Sequence, residues 1–597
     1  MQIRFETSPN FGRRLNSSEE AEYKEILKKG KEKASGSQNG KSILIVPSTS
    51  LPNSLSESTG VGLLNQSGEF FDFAKKYWGI NEVQILPSGQ YHAHKWQYPF
   101  YSGTTMDLGN HLIDVKSLVS KEDFQKIVDA NKTKDKVNFS NVVDLGSTQE
   151  EVLKNLHKNI TPELKSEFEK YKLENNAHLE PKGLYRALRE IYGEHNYNHW
   201  NELDRNLFNE DLVSEAQRAK RIREIYAQKS ETIDFYKFKQ FLAEKSLKQA
   251  KDELNKKGIK LNGDMACGFS FDEVWSHPKA FHNNSTIGWG MPALNLDSKE
   301  AENLIREKSN LYARRFDGIR VDAAWTYVAP PVKDELTGAV TKKDYGAKFL
   351  DIIDDEVKKV KGNKFNRNDV MHEFAASAED FNAFEGSRLK PYIEDRVKIY
   401  TSDWLSDDWG SADNFKRRGW SQDKFIIGAT NHDSAEIKYA ETQAESLGKI
   451  LNIKKEKLKN PIEFLKAKLA EPFGAKNNMV FFMQALGLEG KFKGNSNPSD
   501  NYTAKIPENY EEVYIENLQK GKALNPMDAL EKQFKAQGLD KTEPELYKKI
   551  VKYRKILEQK GGKSSVLVKA GAGIVCAGLI MVGLYKYYSQ NKQNCRS

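Results

Sequence analysis

FDGIRVDAAW, residues 316–325, is a short apolar run of strand character that ends in a carboxylate, Asp322. Two later segments end in the same way, DVMHEF (369–374) in Glu373 and ATNHDS (429–434) in Asp433. A parallel barrel exposes its reactive groups at strand ends. This ordered series therefore predicts a barrel with a carboxylate-lined mouth. The other strand candidates are KSILIVPSTSLP (41–52), NEVQILPSG (81–89), GIKLNGDMACG (258–268), VKIYTSD (397–403) and NMVFFMQALG (478–487), with the Asp433 strand running from 424 as KFIIGATNHD. The count is eight. Helical stretches separate most of them, among them GEFFDFAKKYW (68–78) with its aromatics at helical spacing. The alternation predicts an α/β fold, a (β/α)8 TIM barrel rather than a doubly wound open sheet.

The organisation around that barrel follows from composition. Residues 1–40 are polar and rich in Ser, Gly and Lys, and read as a mobile extension with a transient helix over EEAEYKEILKKGKEK (19–33). The catalytic domain spans 41–545, with a charged helical insertion at about 115–250 between two barrel strands. Residues 546–564 read as a basic helical linker. The following segment, 565–588, holds the unbroken apolar run AGAGIVCAGLIMVGL (570–584). Extended to 566–585 it reaches ~30 Å at ~1.5 Å per residue, about one hydrocarbon core. It reads as a membrane anchor, with an apolar helix docked on the protein as the alternative. The N-terminus lacks the apolar core of a secretory signal.

The 597 residues carry a net charge of +8 from 92 basic and 84 acidic side chains spread along the chain. With no dense basic tract, no nucleic-acid partner is expected. The three cysteines, Cys267, Cys576 and Cys595, form no disulfide framework and no CxxC pair, which fits a reducing compartment. HExxH, GxSxG and GxxxxGK[ST] are absent. Neither a metal nor an organic cofactor is expected.

Asp322, Glu373 and Asp433 suit glycosidic-bond chemistry, in which one carboxylate attacks the sugar and an acid protonates the leaving oxygen. Arg320 lies two residues before Asp322, on the same side of the strand. Its guanidinium keeps the aspartate ionised and oriented, as a nucleophile requires, although a structural Asp–Arg pair would look the same. Glu373 follows apolar residues that would raise its pKa and keep it protonated, unless it faces solvent. His432 and Asp433 can grip the hydroxyls of one sugar ring, or serve as a helix cap.

With these residues in hand, the chain resembles the 4-α-glucanotransferase family (amylomaltase, or disproportionating enzyme) of the α-amylase superfamily. VPSTSLP (46–52), TGVGLLNQSGEFFDFAKKYW (59–78), GNHLIDVKSLV (109–119), HWNEL (199–203), GIKLNGDMACGFSFDEVW (258–275), GWGMP (288–292) and the run 481–507 carry the likeness. The resemblance implies that Asp322 is the nucleophile, Glu373 the general acid/base and Asp433 the transition-state stabiliser, with Arg320 and His432 as binding partners. It further implies that Asp264 is the substrate-side aspartate, that Trp289 lines a sugar subsite, and that Tyr101 stacks under the ring at the cleavage point, a place Phe100 could take instead. The expected activity is retaining transfer of α-1,4-glucan segments from a glucan donor to a sugar acceptor. An amylase-like hydrolase and a weakly active, membrane-held glucan-binding protein are the alternatives. Ala323 and Ala324 after Asp322, Asn431 before His432, and Lys491, Tyr502 and Lys505 depart from the family pattern and bear on how sugar competes with water. The expected location is cytoplasmic, tethered at a membrane by 566–585.

Overall fold

The computed structural model describes residues 15–90, 104–142, 146–373, 395–401, 421–433 and 436–559. Twelve strands lie among them: β1 (Ser42–Ile45), β2 (Glu82–Gln84), β3 (Lys260–Met265), β4 (Phe281–Ile287), β5 (Met291–Leu294), β6 (Gly318–Val321), β7 (Pro331–Asp334), β8 (Val340–Lys342), β9 (Val370–Glu373), β10 (Val397–Thr401), β11 (Phe425–Gly428) and β12 (Asn478–Phe481). Eight close into a barrel in the order β1-β12-β11-β10-β9-β6-β3-β2, and every barrel pairing is parallel. Each of the eight runs singled out in the sequence supplies one barrel strand. SILI, GIRV and FIIG are buried at every position, because helices cover the outside of a parallel barrel and side chains fill its inside.

Helix Gly68–Trp78 shows how the outer layer attaches. Phe70, Phe73, Tyr77 and Trp78 recur at helical spacing and are buried. Phe73 packs edge-on to Tyr510 and Tyr514 with ring centroids 5.1 and 5.3 Å away, which ties this first outer helix to the helix Tyr510–Gln519. Between β2 and β3 the chain builds the helices Lys121–Ala130, Thr148–Lys158, Pro162–Tyr192 and Glu215–Lys256. Lys182 pins them to the barrel. It is buried, with Nζ 2.9 Å from Asp272, 3.2 Å from Glu273 and 3.3 Å from Asp107. Those anions outweigh its desolvation and push its pKa up.

Three features depart from the sequence reading. Residues 17–35, expected within a mobile extension, form a helix with an asparagine capping box. Tyr23, Ile26, Leu27, Gly30 and Ala34 make its buried stripe. Charged residues outnumber that stripe, which is why composition alone pointed to disorder. The helix Pro544–Glu558, expected as a linker, buries Ile550, Tyr553 and Leu557, and Tyr553 meets Tyr23 edge-on at 5.7 Å. The third is a four-stranded antiparallel sheet, β5-β4-β7-β8, beside the barrel. The run 566–585 lies outside the described residues. Among the described residues no helix is long and apolar enough to cross a membrane.

Tyr23 makes the packing of the first helix testable. Its hydroxyl donates to the Tyr77 carbonyl at 2.8 Å in the interior. Tyr23→Ala should lower unfolding free energy by about 3–5 kcal/mol, the usual range for emptying an aromatic site. Urea denaturation measures it, and an unchanged midpoint would mean that the helix does not pack.

Candidate active site

The barrel register assembles the site. Asp264 on β3 pairs with Arg320 on β6, and Arg320 in turn pairs with Met371 on β9, two residues before Glu373. Parallel strands point their C-terminal ends to one mouth, so Asp322, just past β6, and Glu373, the last residue of β9, emerge together.

One guanidinium organises them. Arg320 Nη1 lies 2.6 Å from Asp264 Oδ1 and 3.0 Å from Asp322 Oδ1, while Nη2 lies 2.7 Å from Glu373 Oε1. Asp322 and Glu373 thus meet across a single guanidinium, each with an oxygen within 3.0 Å of one of its nitrogens. Ala323 sits in the left-handed region at φ 41°, a conformation costing about 1–3 kcal/mol outside glycine. The turn aims its N–H at Glu373 Oε2, 3.0 Å away, so backbone strain holds the two carboxyls in register.

The charges do not balance. Burial pushes Glu373 up to about 7, with the negative charges of Asp322 and Asp433 adding to it against the pull of Arg320. Burial likewise raises Asp322, opposed by Arg320, and takes Asp264 to about 7. One cation cannot neutralise three buried carboxylates, and Glu373 and Asp264, both near 7, carry part of the proton load at neutral pH. Arg320 is paired with Asp322, but burial moves that carboxyl upward rather than down.

Asp433 behaves differently. Its carboxyl is held down to about 2, against burial, by His432, Lys493 and Arg320. His432 Nε2 lies 3.2 Å from Oδ2 and Lys493 Nζ 2.7 Å from Oδ1. Burial pushes His432 down to about 4, so its ring is neutral near pH 7. The site thus holds a protonatable Glu373 and a firmly anionic Asp433 side by side.

The remaining sequence candidates fall in different places. Asp264, expected on the substrate side, is fully buried with both oxygens on Arg320, at 2.6 and 2.7 Å. Trp289 stands at the turn between β4 and β5, 72% exposed, edge-on to Trp325 with centroids 5.8 Å apart. Tyr101 and Phe100 lie outside the described residues.

Three groups escaped the sequence reading. The Cys267 thiol, in the loop after β3, donates to Met291 Sδ at 3.5 Å and lies near enough to Asp322 for that carboxylate to add to the upward push of burial on the thiol. Lys308 is buried and donates to the carbonyls of Ala266 and Gly268 at 2.6 and 2.7 Å, fixing that loop. Its signal was present, a lysine on the buried stripe of Ala301, Leu304, Ile305 and Leu311 in helix Lys299–Arg315. Lys493 comes from the segment after β12, where only the fold brings it near Asp433.

Comparison with known proteins adds to this geometry. The Glyco_hydro_77 family model, described as 4-alpha-glucanotransferase, matches residues 46–300. A 4-alpha-glucanotransferase of Clostridium butyricum is 26% identical over 240 residues, 38% of this chain and 45% of the relative. One of Thermus thermophilus is 26% identical over 253 residues, 40% of this chain and 47% of the relative. The chain spans about half the length of these relatives. Among solved structures, the Streptococcus agalactiae amylomaltase in complex with acarbose superposes with a TM-score of 0.60 at 16% identity, covering 82% of this chain and all of that one. The Corynebacterium glutamicum amylomaltase gives 0.57 at 12% identity, covering 88% of this chain and 76% of its own. These two show the fold. The family match ends before Asp322, so the roles of Asp322, Glu373 and Asp433 rest on their own geometry. Family model and curated relatives agree, and the likeness to the 4-alpha-glucanotransferases read from the sequence is shown over residues 46–300.

Proposed function

We propose that this chain is a retaining 4-α-glucanotransferase that moves α-1,4-glucan segments between maltooligosaccharides or glycogen-like glucans. The observation that carries the reading is the pairing of Asp322 and Glu373 across one guanidinium at the barrel mouth. Asp322 attacks the anomeric carbon while Glu373 gives its proton to the departing glycosidic oxygen. The bond to the leaving glucan breaks as the bond to Asp322 forms. Glu373, now anionic, takes the proton of an acceptor 4-hydroxyl, whose oxygen displaces Asp322. Two displacements restore the original anomeric configuration.

Asp433 and the neutral His432 hold ring hydroxyls on the other side of the sugar, and the fixed negative charge of Asp433 favours the cationic transition state. Arg320 keeps Asp322 aimed. The exposed Trp289 offers a face on which a further sugar stacks. Tyr101 is assigned the stacking place at the cleavage point on sequence likeness alone. On sequence alone, too, 566–585 tethers the enzyme at a membrane.

Incubation with maltotriose tests the activity. Transfer gives a ladder of longer oligosaccharides together with free glucose. Glucose and maltose without longer products would mean that water, not sugar, accepts the chain, and would overturn the assignment as a transferase.

A further inference from the structure

Among the described residues Lys493 is a cation in direct contact with Asp433, and the mechanism gives it no task. It is carried by the segment that leaves the barrel after β12, not by a barrel strand. The neighbouring residues fix its place. Phe492 is fully buried and packs on Phe481, the last residue of β12, with ring centroids 5.1 Å apart. The Tyr502 N–H donates to the Phe492 carbonyl at 2.6 Å, and the Val137 N–H to the Thr503 carbonyl at 2.9 Å. The segment is thus folded back on itself and attached to the loop at 137. From this base Lys493 Nζ reaches Asp433 Oδ1 at 2.7 Å, while His432 Nε2 faces Oδ2 at 3.2 Å. Each oxygen of Asp433 has its own partner.

The charges around Asp433 show why this lysine matters. His432 and Arg320 face it from the basic side, and Asp322, Glu373 and Asp264 from the acidic side. His432 is neutral near pH 7. Arg320 is already engaged by three other carboxylates. Lys493 therefore brings a full positive charge into direct contact with the Asp433 carboxylate.

We infer that Lys493 is a positioning residue for glucan transfer: it holds the Asp433 carboxylate in the one orientation that faces the sugar ring, and keeps it there as the ring becomes cationic. The inference rests on the reading of Asp433 as the transition-state stabiliser. A partly exposed ion pair of this kind (29% and 24% exposed side chains) adds little to folding stability. Its effect belongs in turnover. An interaction felt in the transition state and not in the ground state lowers kcat and leaves KM alone.

The test uses the full chain, maltotriose and four variants. Lys493→Met should lower kcat by about 10- to 100-fold, somewhat less than the loss of a direct oxyanion donor, with KM within about twofold and an unchanged melting temperature. Lys493→Arg, which keeps the charge, should recover most of that loss. Asp433→Asn combined with Lys493→Met should be no slower than Asp433→Asn alone, because the lysine acts through the aspartate. A Lys493→Met enzyme within twofold of the parent overturns the inference while leaving the proposed activity standing. So do losses that add in the double variant, or that arginine fails to recover. If the parent chain itself gives no ladder from maltotriose, the activity falls and the inference with it.

Discussion

With Asp322 replaced by Asn, kcat on maltotriose should fall by at least about 10^4-fold while the melting temperature holds or rises. The rate loss follows from chemistry, because an amide cannot form the glycosyl ester, and removal of a covalent nucleophile costs losses of this order. The stability expectation follows from the charges. Burial disfavours the ionised form of Asp322, and Arg320 faces three carboxylates at once. A neutral isostere leaves Asp264 and Glu373 on the guanidinium and removes one excess negative charge. Steady-state rates and thermal melts measure both halves. A loss of tenfold or less would show that Asp322 is not the attacking group. A collapse in melting temperature would recast it as a structural partner of Arg320.

The second large effect is at Glu373. Burial first, and the Asp322 and Asp433 charges after it, raise this carboxyl to about 7, while Arg320 and the Ala323 N–H pull the other way. A raised carboxyl is protonated below its pKa. The acid needed for the first displacement is therefore present at pH 5–6 and lost as pH rises through about 7, giving kcat/KM an alkaline limb there. Glu373→Gln should remove that limb and lower kcat on maltotriose by ~10^2–10^4-fold, the usual contribution of a positioned general acid. α-Maltotriosyl fluoride, whose leaving group departs without a proton, should form the glycosyl-enzyme at a rate much closer to that of the parent. If the variant were equally impaired on both donors, Glu373 would not be the acid. An alkaline limb that persisted in the variant would assign it to another group.

The barrel was legible because most strands lie in short apolar runs with β-branched residues, and parallel strands are buried on both faces. GIRV and FIIG announce themselves in this way. Asp322, Glu373 and Asp433 were legible for a related reason, since each interrupts such a run at its C-terminal end. The four-stranded side sheet was not. β8 is VTK, exposed throughout, and β4 is FHNNSTI, polar in its middle, so neither shows the alternation that marks a half-buried strand. The helix at 17–35 was legible as a transient one, but its lysines and glutamates hid that it packs, although Tyr23, Ile26, Leu27 and Ala34 lie on one stripe.

Part of the site could not have been read from the chain at all. Cys267 and Lys493 are separated from their aspartates by 55 and 60 positions and meet them only through barrel closure. The left-handed turn at Ala323 carries no local cue, because alanine rarely adopts it. The upward shift of Asp322 was also out of reach. Sequence shows one arginine beside it, whereas folding sets that arginine among three carboxylates and removes water from all of them.

Trapping the covalent intermediate decides whether Asp322 and Glu373 act as nucleophile and acid on one sugar. Glu373→Gln incubated with α-maltotriosyl fluoride should accumulate a covalent adduct, because the second displacement then lacks its base. Peptide mass spectrometry should place one maltotriosyl group on the peptide containing Asp322. An adduct on another carboxylate, or complete turnover of the fluoride with no adduct at any time, would contradict the account.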